Sequence, residues 1–195
     1  MAVKLNLPPP PEHLIIKLKQ TLDDKNKIED DHYRVWANEY HNLGNSVRHH
    51  YYMPEELSNE LNDLYVPYFK QKIIPLLVVM HSFDSRPATL TPHCDSKRFT
   101  AINYFIELGG DAVYTYFYDY VRESIDIDQA VNLKSDEIKL VKKVKFEKDM
   151  WYGFNVQQCH SVENITTTRI FLALILENNQ TFDEFCKVYS NLIIG

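Results

Sequence analysis

"HCDSKRFTAINYFIEL", residues 93 to 108, is the stretch on which the fold turns. Its second part, Phe99 to Leu108, is rich in β-branched and aromatic residues and apolar on both faces. That texture suits a strand covered from two sides rather than one with a wet face. Its first part sets His93 and Asp95 two residues apart. In an extended chain such side chains share a side, so the imidazole and the carboxylate converge while Cys94 turns away. A polar pair fit to hold a metal therefore opens a strand fit to be buried.

Working outward, strand-like runs recur at residues 74–83, 112–121, 137–146, 150–155, 158–163 and 167–177. Gly109-Gly110-Asp111 is a tight connection between two of them. Ahead of the strands, an extended Pro8 to Pro11 segment leads into a helix with Leu14, Ile15, Leu18 and Leu22 on one stripe. A second helix starts at about Pro54, with Leu57, Leu61, Leu64 and Tyr68 on one face. Residues 23–52, with Trp36 and "RHHYYMP", show no clear period. After the strands, Thr181 and Glu184 form a capping-box pattern ahead of an apolar stripe of Phe182, Phe185, Tyr189 and Leu192. Helices followed by a succession of strands predict a mainly β fold with flanking α-helices. The most economical arrangement is a double-stranded β-helix, that is, a cupin-like jelly roll. The expected organisation is a single domain over 1–195. It comprises an N-terminal helical support region (1–73), a jelly-roll core (74–177) and a C-terminal helix (178–195).

With 195 residues, 45% hydrophobic and 25% charged, the chain is long enough for one core and a small-molecule pocket. A formal charge of −6, spread along the chain, offers no basic field to phosphate backbones, so nucleic acid is not an expected partner. Lys139, Lys142, Lys143, Lys145 and Lys148 are offset by Glu137 and Glu147 and read as a solvated face of a strand pair. The apolar runs near 73–80 and 170–176 are too short to span a bilayer. Cys94, Cys159 and Cys186 make no disulfide framework, and no signal segment opens the sequence, so a cytoplasmic setting is expected. The N-x-T matches at Asn164 and Asn179 then carry no consequence.

Two imidazoles and a carboxylate that leave coordination positions open are the ligand set of a non-haem Fe(II) oxygenase. His93 and Asp95 supply two, and the third must come from a distant segment. His160, in the short strand-like run at 158–163, is the best candidate, with His81 second. Arg169 is an anomaly in a strongly apolar strand, sharing a face with Phe171, Ala173 and Ile175. A guanidinium there calls for an anionic partner. Cys94 and Cys159 flank two proposed ligands and suggest a Cys/His zinc site, but strand alternation turns both thiols away from the imidazoles. Asn155 and Gln158 either orient His160 or cap strand ends. His49-His50 with Tyr51-Tyr52 suit a substrate rim, and residues 122–137 a lid.

These features together resemble the 2-oxoglutarate and Fe(II)-dependent oxygenase superfamily, and within it the prolyl 4-hydroxylase branch. The matching stretches are "HCD" at 93–95, "FTAINYFIEL" with Thr100 and Tyr104, "ELGGDAVYTYF", and "WYGFNVQQCHSVENITTTR" with His160 and Arg169. The resemblance covers residues 75–177. It implies that His93, Asp95 and His160 bind Fe(II), that Arg169 pairs with the far carboxylate of 2-oxoglutarate, and that Tyr104 donates to the same carboxylate. The implied reaction consumes O2, hydroxylates a C–H bond and converts 2-oxoglutarate to succinate and carbon dioxide. Asp95 stands where a halogenase has a small residue, which favours hydroxylation. The chain departs from the pattern at Phe171 and Ala173, where many relatives carry a hydroxyl residue. Two rivals stay open: a cupin-like metal enzyme without 2-oxoglutarate, whose Arg169 binds another anion, and a non-catalytic jelly-roll binding module. The substrate, a small molecule or a protein side chain, is not legible.

Overall fold

Eight consecutive strands divide between two facing antiparallel sheets, and the order in which they do so makes the jelly roll. They are β3 (Ile73–Ser82), β4 (Ala88–His93), β5 (Thr100–Leu108), β6 (Tyr114–Tyr120), β7 (Ile138–Val144), β8 (Trp151–Asn155), β9 (His160–Ile165) and β10 (Arg169–Leu176). Strands β8, β5, β10 and β3 lie side by side in the larger sheet, and β4, β9, β6 and β7 form the smaller one. This computed structural model describes residues 1–25, 45–82, 84–95, 98–121 and 136–194. The expected lid at 122–137 lies, apart from its last two residues, outside the described residues, as does Trp36.

The terminal regions carry more strand than expected. β1 (Ala2–Leu5), β2 (Ser46–Tyr52) and β11 (Ile193–Ile194) extend the larger sheet to the order β11-β1-β8-β5-β10-β3-β2. Residues 1–73 are thus not purely a helical support, because β2 pairs with β3 and β1 with β8. The C-terminal segment is likewise a short helix, a 3-10 turn and β11 rather than one helix.

Helices α1 (Glu12–Lys25), α2 (Glu55–Phe69) and α3 (Phe182–Val188) cover the outer face of the larger sheet. On α1 the anticipated stripe holds, with Leu14 and Leu18 buried and Ile15 and Leu22 packed beside them. On α2 the buried face is Leu57, Leu61, Tyr65 and Phe69, one residue round from the expected Leu64 and Tyr68; Tyr68 is 39% exposed. Steps of four overrun the 3.6-residue turn, so the buried stripe winds slowly round the helix, and Leu64 still packs against its edge. α3 opens with the full Thr181–Glu184 capping box.

Two apolar layers result. The outer layer joins the helices to Tyr104, Ile106, Trp151, Leu172 and Leu174. The inner layer lies between the sheets and includes Phe105, Phe117, Phe146, Phe154 and Phe171. Strands β5 and β10 serve both, which is why they read as apolar on each face. Among the described residues β7 pairs only with β6 and exposes residues 139–143, so its lysines are solvated as expected. No helix of the described residues is long and apolar enough to cross a membrane.

Candidate metal centre

β4 and β9 run antiparallel, with His93 directly opposite His160. Their ring centroids are 4.4 Å apart. Each ring uses Nδ1 on a backbone carbonyl two residues upstream: His93 on Thr91 O at 2.8 Å, His160 on Gln158 O at 2.9 Å. Those bonds make Nδ1 the protonated nitrogen and leave an Nε2 lone pair on each ring. His93 Nε2 is buried without a hydrogen-bond partner. A buried lone pair left so is costly, and a metal ion would satisfy it.

Asp95 follows β4 and completes the cluster. Both Nε and Nη2 of Arg98 donate to its Oδ2, at 3.3 and 2.8 Å. Oδ1 lies 3.8 Å from His93 Nε2. One ligand atom from each of His93, Asp95 and His160 falls within 4.8 Å of the others. Bonds of about 2.1 Å to one ion would draw them somewhat closer, to about 3–3.5 Å, a shift that side-chain rotation can supply. Burial lowers the pKa of both imidazoles, and His160, with His93 beside it, falls to about 3. Burial works to raise the Asp95 carboxyl, but Arg98, Arg48 and the two imidazoles outweigh it and hold the group below the usual carboxylate range. At neutral pH the cluster therefore offers two neutral imidazoles and one carboxylate, the protonation state a divalent ion requires.

The centre opens into a cavity of about 420 Å³, its mouth included, between the sheets. His160, Arg169, Asn103, Thr115, Arg48 and Arg98 line it among aromatic walls. Arg169 starts β10, is 3% exposed, and lies with its guanidinium 4.7 Å from the centre of the Phe105 ring. Nη1 donates to Leu108 O at 3.3 Å, while Nε has no partner. Burial draws its pKa down to about 10, so it stays cationic at neutral pH. Asn103 Oδ1 and Thr115 Oγ1 are also buried without partners. Arg169 and Asn103 from the larger sheet and Thr115 from the smaller one thus turn unsatisfied polar atoms into the same cavity, a place for a polar ligand whose acid group would meet Arg169.

Gly109 makes room for this arrangement. Its φ is +85°, and a Cβ there would stand 2.8 Å from Arg169 Cβ and 2.9 Å from Ile165 Cγ2. The chain crosses from the larger to the smaller sheet at this point, so Gly109-Gly110 is a crossover and not a hairpin turn.

The structure brings His93, Asp95 and His160 together and puts Arg169 on the cavity that His160 lines. It does not bring Tyr104 there. Alternation along β5 sends Asn103 and Phe105 into the cavity and Tyr104 to the helix side, where it packs 5.2 Å from Trp151 and donates to Asp149 Oδ1. His81 stacks on His49 at 5.4 Å, apart from the cluster. Asn155 caps its turn by accepting from Gln157 N and Gln158 N, and Gln158 orients His160 through its carbonyl. Four residues escaped the sequence reading: Arg48, Arg98, Asn103 and Thr115. Arg98, one turn of chain past Asp95, carried the clearest signal.

No protein-family model matches the chain, and no curated protein does. Among solved structures it is similar to the crystal structure of a Pseudomonas putida prolyl-4-hydroxylase. That match has a TM-score of 0.41 and 11% sequence identity, and covers 89% of each chain.

Proposed function

We propose that the chain is an Fe(II)- and 2-oxoglutarate-dependent hydroxylase. One observation carries the reading: His160, a member of a two-imidazole, one-carboxylate cluster, lines the same cavity as a buried guanidinium with an unpartnered N–H. His93 Nε2, His160 Nε2 and an Asp95 oxygen would hold the ion, with Arg98 occupying the other carboxylate oxygen. Arg169 would grip the far carboxylate of 2-oxoglutarate, a task suited to a planar cation in a dry site. Thr115 supplies the hydroxyl that Phe171 and Ala173 do not, from β6 instead of β10. Bound there with 2-oxoglutarate and O2, iron supplies the oxidising chemistry that hydroxylates a C–H bond and releases succinate and carbon dioxide. The aromatic walls exclude water, and the substrate is a small molecule or a protein side chain. Three cysteines outside any disulfide suit a reducing, cytoplasmic setting.

A second reading has a specific support. With Tyr104 turned away and no hydroxyl on β10 beyond Arg169, the cavity also suits a cupin-like metal enzyme in which Arg169 takes another acid. Anaerobic Fe(II) titration with and without 2-oxoglutarate separates the two. The expected result is a weak visible charge-transfer band in the parent that His160→Ala abolishes. Iron binding without the band would favour the other acid, and no metal binding at all would remove both.

A further inference from the structure

We infer that Cys94 and Cys159 are an oxidation site: under hydrogen peroxide the two thiols close a disulfide on the back of the metal centre, tethering the strand ends that carry its ligands. This goes beyond the proposed reaction, in which neither thiol takes part, and does not depend on the identity of the metal.

Cys94 sits between His93 and Asp95, and Cys159 directly precedes His160. Because His93 and His160 are paired across the sheet, the cysteines come next along the same two chain segments and face the other way. Residues opposite one another in such a pair have Cα atoms about 4.5–5.5 Å apart, inside the roughly 4.4–6.8 Å that a disulfide bridges. The two buried thiols pack in one cluster. Cys94 Sγ is also 2.6 Å from the Tyr120 hydroxyl. With Tyr118, Tyr120 and Ile138 the pair forms a small cluster of its own, separate from both main layers. Cys94 and Cys159 are 6% and 0% exposed, yet the side chains over them are only half-buried. Bulky oxidants are kept out, whereas peroxide is scarcely larger than water. Cys186, on α3, belongs to neither the cluster nor the smaller sheet.

The chemistry balances in two steps. One thiol sulfur attacks peroxide; an S–O bond forms, the O–O bond breaks, and water leaves. The second thiol sulfur attacks the resulting sulfenic sulfur; the S–S bond forms, the S–O bond breaks, and a second water leaves. Two thiols lose two electrons in all and one peroxide gains them. The bond ties the segments next to the His93–His160 pair, so it fixes their alignment and keeps the cluster assembled.

The test treats the full, metal-free chain with stoichiometric hydrogen peroxide, then denatures and alkylates it for peptide mass mapping. The expected product is a Cys94–Cys159 linked peptide with Cys186 alone alkylated. Its thermal midpoint should rise by about 5 °C and return on reduction. After reloading with Zn(II), release to a chelator should slow several-fold. Cys186→Ala should behave as the parent, while Cys159→Ala and, independently, Cys94→Ser should lose the link, the shift and the slowed release. Two thiols still alkylatable after peroxide, separate sulfinic acids without a link, or a link that leaves zinc release unchanged would each overturn the inference.

Discussion

The two faces of the larger sheet are built from the same strands and yet obey different rules. On the helix side every large group is accommodated: Trp151 Nε1 and the Tyr65 hydroxyl both donate to Pro8 O, at 2.9 and 3.1 Å. On the inner side Arg169 and Asn103 keep polar atoms without a hydrogen-bond partner among the described residues, and Thr115 faces them from the smaller sheet in the same state. One face is finished when the chain folds; the other is finished only by a ligand. The lesson is that unsatisfied groups gathered round one cavity locate function better than concavity alone.

The sharpest way to break this comparison is to substitute one residue on each face of the metal-free protein and compare stabilities by denaturant unfolding. Trp151→Ala should cost about 3–5 kcal/mol, as a large core deletion does. Arg169→Met should instead gain about 1–3 kcal/mol, because it replaces a buried, poorly compensated cation by an apolar side chain. Equal losses from both would show that the inner face is as complete as the outer.

The next effect is acid lability, and it belongs to the centre. His160 has a folded pKa of about 3 against an ordinary value of 6.5, lowered chiefly by burial. Between those values the unfolded chain binds a proton that the folded chain refuses, so stability falls as pH drops from 6.5 towards 3. The loss expected from this group is on the order of 5 kcal/mol over the full window. His160→Asn should flatten that limb in pH-dependent unfolding of the metal-free chain. An unchanged slope would mean that the imidazole is already protonated or exposed.

The smallest effect compares two hydroxyls. Thr115→Val, on the cavity wall, should weaken 2-oxoglutarate binding about tenfold, equivalent to roughly 1.4 kcal/mol. Tyr104→Phe, on the helix side, should leave that binding unchanged. Equilibrium titration of the cobalt-loaded protein measures both, and the reverse ranking would restore Tyr104 to the site.

The same two-sidedness explains what the sequence revealed and what it concealed. β5 and β10 were legible because few structures other than a covered strand tolerate apolar residues on both faces. Arg169 stood out against that background. His93 and Asp95 were legible because a spacing of two fixes a common side whatever follows. Tyr104 came from the resemblance rather than from the strand itself, and the strand could not check it: when both faces are apolar, nothing local tells which one is inner, and Asn103 and Tyr104 exchange roles with the phase of the pleat. The α2 face slipped by one residue likewise, since Leu64 with Tyr68 and Tyr65 with Phe69 are nearly equivalent choices. β2 was missed outright. Its Arg48, His49 and His50 show no apolar alternation, and its pairing partner β3 begins two dozen residues on, beyond any local pattern.

The bare Cα of residue 109 gives the molecule a point of failure remote in kind from its chemistry. A single methyl added there removes no ligand and no charge, yet it must displace the arginine root and the neighbouring isoleucine together. A lesion at that position would thus imitate loss of the cation itself, and inheritance of the cavity is bound to an atom that takes no part in what the cavity holds.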